Sequence, residues 1–159
     1  MSIELWSQIR PGLFLGGTYE TPLQGDRWAP SISPDEFQTV ATFFDGAPPV
    51  GEGVKELRFG FKDDESMDID FGTLRQVVEL IWQDWVAGKS VLIRCEGGWN
   101  RSALVTAMVL MRNGLDASEA IAELRQARSA NVLNNRAFES WLLAAPMTEF
   151  RMHEARDWS

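Results

Sequence analysis

The sequence is poor in the residues from which several common sites are built. It contains one cysteine, Cys95, one histidine, His153, and only three lysines among 159 residues. A single cysteine can form no internal disulfide and no zinc site made of several thiolates. A catalytic pair of histidine with cysteine or serine would have to use His153. The cysteine count favours a reducing compartment, and we expect a cytoplasmic protein.

Basic side chains and long apolar runs are also scarce. Fifteen Lys and Arg residues stand against 23 Asp and Glu residues, which gives a net charge of −8. Nucleic-acid surfaces and anionic membranes are bound through basic patches, so we expect neither as a partner. The longest nearly apolar stretch, residues 103–111, is far shorter than the ~20 residues that span a bilayer. A local pocket for one phosphate group remains compatible with this charge.

Composition and periodicity predict one α/β domain over residues 1–159. Hydrophobic residues make up 45% and charged residues 24% of the chain, close to the average for soluble globular proteins. Apolar or β-branched runs predict strands, and apolar residues three and four positions apart predict helices. Strands are expected at 13–15, 37–44, 57–61 and 90–93, and helices at 70–88, 102–111, 116–128 and from 134 or 135 onward. We therefore expect a three-layer domain, with a short, mostly parallel central sheet flanked by helices.

One segment between a predicted strand and a predicted helix has a chemical signature. Cys95 is followed by five residues and then by Arg101 and Ser102. A loop that enters a helix N-terminus points several backbone N–H groups at one place, and the helix dipole adds positive potential there. Gly97 and Gly98 permit backbone conformations with positive φ, and the planar guanidinium of Arg101 can bind two phosphate oxygens. We expect this site to bind phosphate and to favour a thiolate at Cys95.

The alternative interpretation of a lone cysteine is a small buried hydrophobic residue, which is the commoner case. However, glycine three positions after a cysteine, arginine six after and serine or threonine seven after coincide by chance in about one case in a thousand at average residue usage. The spacing therefore favours a nucleophile within a phosphate-binding loop.

The residues Cys-Glu-Gly-Gly-Trp-Asn-Arg-Ser at 95–102 resemble the phosphate-binding loop of the cysteine-dependent protein tyrosine phosphatases, in their dual-specificity branch. Residues 9–17 resemble the opening strand motif of that family, residues 116–128 its next helix, and residues 135–138 the start of its last helix. The resemblance implies a phosphomonoester hydrolase with Cys95 as nucleophile and the loop between a strand and a helix. The substrate-binding residues that it implies are Glu96, Gly97, Gly98, Trp99, Asn100 and Arg101.

The family uses an aspartate upstream of the cysteine as general acid, because the leaving oxygen must receive a proton as its bond to phosphorus breaks. Leu57, Phe59 and Phe61 share one face of the predicted strand, and Asp63 continues that alternation. We expect Asp63 to be the acid, with Asp64 as the alternative and with Asp68 and Asp70 ranked behind both. By the same resemblance, the hydroxyl of Ser102 would hydrogen-bond the sulfur of Cys95, and no metal or other cofactor would be needed.

Two residues depart from the usual pattern of the family. Arg94 stands where the family has histidine, and Glu96 adds a negative charge directly after the nucleophile. We expect Glu96 to point to solvent or to pair with Arg94. These departures leave a catalytically weak or inactive phosphate-binding module open as an alternative. The indole of Trp99 would either stack on an aromatic leaving group or form a wall of the pocket.

The expected partner is a phosphorylated protein or peptide, with phosphotyrosine preferred over phosphoserine and phosphothreonine. Inorganic phosphate or vanadate-type oxyanions would also occupy the loop. No lysine lies between Cys95 and Arg101, which disfavours a phosphoinositide, since phosphoinositide members of the family tend to carry lysines there. The Asn100–Arg101 pair also resembles the loop of RNA 5′-triphosphatases in the same superfamily, so an RNA 5′-phosphatase is a further alternative.

Overall fold

The computed structural model of the protein describes residues 5–18 and 31–145. These residues form five strands and four helices. In chain order they are β1 (Trp6–Arg10), β2 (Leu13–Gly16), β3 (Thr39–Thr42), β4 (Lys55–Arg58), α1 (Phe71–Val86), β5 (Val91–Arg94), α2 (Arg101–Arg112), α3 (Ala117–Ala127) and α4 (Arg136–Ala144). Within the described ranges, each helix is too short or too polar to span a bilayer.

The strands form one mixed sheet in the order β1-β2-β5-β3-β4. The β1–β2 pair is antiparallel, whereas β2–β5, β5–β3 and β3–β4 are parallel. The predicted fold class, a mostly parallel sheet flanked by helices, is thus confirmed. Because parallel strands end at the same edge of a sheet, the segments that follow β2, β3 and β5 lie close together there.

The larger hydrophobic core lies between this sheet and the four helices. Every residue of α2 from Ser102 to Arg112 is buried, and so is every residue of β5. A helix that is apolar on most of its surface packs inside a protein rather than on it. The loop between β5 and α2 therefore connects two buried elements, which fix both of its ends.

A smaller core covers the opposite face of the sheet. Its buried members are Ile32, Phe37, Val40 and Leu92. Leu92 lies between Val91 and Ile93, which belong to the larger core, since successive strand residues point to opposite faces. Both faces of the sheet are thus covered, as is usual for parallel strands.

Three strands differ from the sequence predictions. β3 occupies only 39–42 of the predicted 37–44, and β1 was not predicted because its residues are mostly polar and it lies at a sheet edge. β4 spans 55–58 rather than 57–61. The apolar pattern was misleading in β4 because Glu56 makes polar contacts within the sheet with Thr42 and Arg94. Phe59 and Phe61 pack against the larger core after the strand has ended.

Three of the four predicted helices, α1, α3 and α4, begin with capping side chains, whereas α2 has no side-chain cap. Asp116 and Glu119 form the expected capping box at the start of α3. Asp70 accepts a hydrogen bond from the backbone of Thr73 at the start of α1, and Asn135 accepts two from the backbone of α4. These side chains supply acceptors for N–H groups that have no partner within a helix.

Candidate active site

The Cys95 loop (residues 95–101) places a buried thiol beside a hydroxyl. Cys95 follows β5 directly and is only 2% exposed. Its Sγ lies 3.1 Å from Oγ of Ser102 in the first turn of α2. The same Oγ lies 3.4 Å from the carbonyl oxygen of Gly16 in β2. A hydroxyl at this distance can donate a hydrogen bond to sulfur and so stabilise a thiolate.

Contacts from outside the Cys95 loop hold its carbonyl groups. The carbonyl of Glu96 accepts hydrogen bonds from the backbone N–H (2.9 Å) and hydroxyl (3.3 Å) of Thr18. The guanidinium of Arg128 donates to the carbonyls of Gly98 (2.9 Å) and Gly97 (3.4 Å). In a trans peptide the N–H points away from the carbonyl. The N–H groups that follow these three carbonyls therefore point away from Thr18 and Arg128, and none of them has an acceptor among the described residues.

Only one of the two loop glycines has the predicted positive φ. Gly98 has φ +79°, and a Cβ added there would lie 2.6 Å from the backbone of Gly16 and 2.7 Å from Arg128. Gly97 does not have a positive φ. Gly98 is thus required both for the backbone conformation and for close contact between the Cys95 loop and β2.

The side chain of Arg101 is 13% exposed, and its donors are incompletely used. Its Nη1 donates to the carbonyl of Phe61 at 3.3 Å, and its Nη2 lies 3.8 Å from Glu96. The guanidinium also lies over the ring of Phe44, 5.3 Å from the centroid. Its Nε is buried without a hydrogen-bond partner among the described residues. Buried polar groups are usually paired, so this donor fits a ligand oxygen.

The carboxylate of Asp63 contacts the Cys95 loop directly. One oxygen accepts a hydrogen bond from the side chain of Asn100 (3.0 Å) and the other from that of Asn135 (2.8 Å). The carboxylate of Asp64 instead accepts hydrogen bonds from the hydroxyl and the backbone N–H of Ser66, which lower its pKa. The structure thus brings Asp63 to the Cys95 loop, leaves the Asp64 side chain within its own segment, and uses Asp70 to cap α1.

Residues 50–147 match the sequence profile of the dual specificity phosphatase catalytic domain. The chain belongs to this family. No curated protein sequence matches the chain significantly.

Solved structures share the fold of this dual specificity phosphatase domain at low sequence identity. Human DUSP28 is 21% identical, with a TM-score of 0.68, over 95% of this chain and 99% of its own. DUSP15 is 17% identical, with a TM-score of 0.71, over 95% and 96%. PTPMT1, solved in complex with PI(5)P, is 18% identical, with a TM-score of 0.70, over 96% and 99%. These similarities show that the chain shares the fold of these proteins.

Arg94, which stands where this family usually has histidine, contacts the strands rather than the nucleophile. Its Nε donates to the hydroxyl of Thr42, and its Nη2 donates to the carbonyl of Pro48 (2.7 Å) and to Glu56 (3.3 Å). Burial lowers the pKa of Arg94, although the charge and hydrogen bond of Glu56 act in the opposite direction. Arg94 therefore joins β5 to β3 and β4, on the side of the sheet away from Cys95.

The side chains of Glu96 and Trp99 lie at the edge of the Cys95 loop. Glu96 does not pair with Arg94, as one sequence interpretation had it. Its side chain is 43% exposed, and one carboxylate oxygen lies 3.8 Å from Nη2 of Arg101, whereas the guanidinium of Arg94 lies across the sheet. The indole of Trp99 packs against the larger core, with the guanidinium of Arg128 5.0 Å from its ring centroid. These contacts favour the pocket-wall interpretation of Trp99.

Three segments that touch the site had no assigned role from the sequence. A Cβ added at Gly17 would lie 2.8 Å from the carbonyl of Glu96, and two adjacent glycines are a signal of such a close approach. Phe44 and the Asn134–Asn135 pair carried no comparable signal, because their contacts join residues far apart in the chain. His153 lies outside the described residues.

Proposed function

We propose that the domain hydrolyses phosphomonoesters through a cysteinyl-phosphate intermediate. In the first step Sγ of Cys95 bonds to phosphorus while the ester P–O bond breaks, and the carboxyl proton of Asp63 passes to the leaving oxygen. In the second step the Asp63 carboxylate takes a proton from water, whose oxygen bonds to phosphorus as the S–P bond breaks. Arg101 and the loop N–H groups bind the remaining phosphate oxygens throughout. The scheme uses no metal or other cofactor.

The observation that carries this proposal is the buried thiol of Cys95 within a loop whose donors lack acceptors. The Nε of Arg101 and the N–H groups after residues 96, 97 and 98 have no acceptor among the described residues. A phosphate would satisfy several of these donors at once, and the same donors would stabilise the charge of the transition state.

A non-catalytic phosphate-binding module would also need the Cys95 loop, but it would not need an acid or a hydroxyl beside the sulfur. This domain has both features. Asp63 is an acid hydrogen-bonded to Asn100 of the Cys95 loop, and the hydroxyl of Ser102 lies 3.1 Å from the sulfur of Cys95. The change from histidine to Arg94 removes no reacting group. We therefore favour an active enzyme over a binding module.

The decisive experiment is hydrolysis of para-nitrophenyl phosphate between pH 5 and 8 without added metal. Wild type and Cys95→Ser are compared, with vanadate as inhibitor. We expect turnover that vanadate blocks and that Cys95→Ser abolishes. Undiminished turnover in Cys95→Ser would overturn the mechanism. If wild type shows no turnover but vanadate protects Cys95 from alkylation, the binding-module function replaces it.

Phosphotyrosine in proteins is the substrate that we propose, followed by phosphoserine and phosphothreonine. PTPMT1 in complex with PI(5)P shows that a related fold can hold a lipid headgroup, but the exposed carboxylate of Glu96 would repel a headgroup with several phosphates. The net charge of −8 would likewise repel the phosphates of RNA. A comparison of kcat/KM on a phosphotyrosine peptide, a phosphoserine peptide, PI(5)P and a 5′-phosphorylated RNA tests this order.

The mechanism also favours a reducing compartment. Cys95 is the nucleophile in this proposal, and oxidation of its sulfur would stop the reaction. The cytoplasm keeps thiols reduced. We propose that the protein acts there.

A further inference from the structure

The carboxylate of Asp63 is held at both oxygens by amides from two distant parts of the chain. Asn100 belongs to the Cys95 loop, and Asn135 is the residue that caps α4. Asn135 also donates to the backbone carbonyl of Asp64 at 3.0 Å. The segment between β4 and α1, which we call the Asp63 segment (residues 59–70), is thus attached to the Cys95 loop and to α4.

The two amides are themselves fixed by further hydrogen bonds. The Nδ2 of Asn100 also donates to Oδ1 of Asn134 (2.8 Å), and its Oδ1 accepts from the backbone N–H of Asn135 (2.9 Å). Asn100 is only 8% exposed. Its two donors and its acceptor are therefore all used, so its side chain has one defined orientation.

Unusual backbone conformations occur in the Asp63 segment and directly before Asn134. Within the described ranges, the residues other than glycine that have positive φ are Met67 (56°) and Leu133 (61°). Met67 lies in the Asp63 segment, and Leu133 directly precedes Asn134. The N–H of Leu133 donates to the carbonyl of Trp99 in the Cys95 loop (2.8 Å). Strained conformations of this kind persist where the surrounding structure determines them, and they often lie at functional sites.

We propose that Asn100 and Asn135 are positioning residues that dock the general acid on the Cys95 loop. This inference rests on the proposed function, in which Asp63 gives its proton to the leaving oxygen. The amides would hold Asp63 in place and would stabilise the carboxylate that forms as the proton leaves. Neither asparagine side chain needs to touch the phosphate for this role.

A double-mutant cycle tests the inference with a readout that a structural role would not change. General acid catalysis matters most for esters with poor leaving groups, so phenyl phosphate is compared with para-nitrophenyl phosphate. We expect Asn100→Ala to lower kcat on phenyl phosphate about tenfold, less than the roughly 100-fold loss for Asp63→Asn. On para-nitrophenyl phosphate the loss should be several times smaller, with KM unchanged.

The Asp63→Asn background decides whether Asn100 acts through Asp63. If it does, Asn100→Ala changes kcat less than about twofold in that background. Equal losses in both backgrounds, or no loss in either, would overturn the proposal.

Asn135→Ser is the second variant, because serine keeps an acceptor for the α4 cap but is too short to donate to Asp63. Asn113→Ala is the matched control, since Asn113 accepts from Trp82 at the far end of α2.

Docking is also measured without turnover, so that its failure is distinguishable from failure of the proposed function. Amide hydrogen exchange across the Asp63 segment is followed in the Cys95→Ser protein. We expect exchange to rise about tenfold when Asn100→Ala or Asn135→Ser is added, and to stay unchanged with Asn113→Ala. Unchanged exchange in both of the first two variants would overturn the docking, whatever the enzyme does. Wild-type turnover that does not need Cys95 would overturn the proposed function alone.

Discussion

Arg94 directly precedes the Cys95 loop and Arg101 is its last residue, and the fold uses these two largely covered arginines differently. The side chain of Arg94 is 2% exposed and that of Arg101 is 13% exposed. Arg94 donates to Thr42 through Nε, and to Pro48 and Glu56 through Nη2. Arg101 has one carbonyl at 3.3 Å, an exposed carboxylate at 3.8 Å, and an Nε without a partner among the described residues.

This difference separates a structural guanidinium from one that is ready to bind an anion. Burying a charge is unfavourable unless hydrogen bonds and an opposite charge accompany it. The strands supply these partners to Arg94, whereas the surroundings of Arg101 leave donors for a ligand to complete. In the sequence, the spacing from Cys95 indicates a phosphate ligand at Arg101 but does not indicate what Arg94 contacts. In the structure, the number of donors already used distinguishes their roles.

Arg101→Lys tests the anion-binding side of this comparison and should have the largest effect. We expect kcat/KM for para-nitrophenyl phosphate to fall about 1,000-fold, because an ammonium group cannot present two coplanar donors to phosphate oxygens. The thermal unfolding midpoint should stay within about 3 °C of wild type, since Arg101 has few partners to lose. Steady-state kinetics and calorimetry measure the two quantities.

The matched control is Arg112→Lys at the other end of α2. Arg112 pairs with Glu79 and lies over the ring of Trp82, so its replacement should leave kcat/KM unchanged. A loss of less than tenfold in Arg101→Lys would show that Arg101 is not the main phosphate ligand. The unused donors of Arg101 would then not mark it as an anion-binding residue in contrast to Arg94.

Glu56→Ala tests the structural side of the comparison. It leaves the buried guanidinium of Arg94 without its carboxylate, and we expect the free energy of unfolding to fall by about 3 kcal/mol. The kcat of the folded enzyme should change less than about twofold, because Arg94 lies on the far side of the sheet from Cys95. Urea unfolding and kinetics below the unfolding transition measure these effects. A double replacement of Arg94 and Glu56 by leucine should recover much of the stability that Glu56→Ala loses. A large loss of kcat in Glu56→Ala would contradict a purely structural role for Arg94.

The parts of the molecule that the sequence predicted are those that local patterns determine. The strand, loop and helix around Cys95 follow from apolar runs and from residues within eight positions of one another. The capping box of Asp116 is equally local. The order of the strands and the position of Asp63 depend on contacts between distant residues. The expectation for Asp63 used a strand register that ends too early, at Arg58, to support it.

The contacts of the site that the sequence did not predict come from polar side chains with more than one plausible role. Asn135 was recognisable as a helix start, but its second hydrogen bond, to Asp63, depends on how α4 packs. Glu56 lies outside the strand predicted at 57–61, although its carboxylate accepts hydrogen bonds from Thr42 and Arg94 within the sheet. In both cases the partner lies far away in the chain, so no local spacing indicates it.

The pH dependence of stability tests the Arg94–Glu56 pair through a smaller effect. Burial alone would raise the pKa of Glu56, but hydrogen bonds from Thr42 and Arg58 and the charges of Arg58 and Arg94 lower it below the ordinary value of 4.5. Stabilisation from such a group is complete above that ordinary value and is lost as the pH falls through the lower folded-state pKa. Wild type should therefore lose more stability than Glu56→Gln between pH 5 and pH 3, as measured by urea unfolding. Parallel losses in the two proteins would mean that other carboxylates account for the acid sensitivity.

Glu96→Gln should have the smallest effect, and it tests how free the donors of Arg101 are. The Arg101–Glu96 pair is long and the side chain of Glu96 is 43% exposed, and exposed pairs of this kind contribute little. Removing the charge should tighten vanadate inhibition about two- to fivefold, because Glu96 no longer competes for the guanidinium, while kcat stays close to wild type. The gain should shrink in high salt, which screens exposed charges. Glu65→Gln, which removes an exposed charge from the Asp63 segment, controls for a general reduction of negative charge. A fall in kcat for Glu96→Gln would show instead that Glu96 holds Arg101 in place, and Arg101 would then resemble Arg94 more closely than its unused Nε indicates.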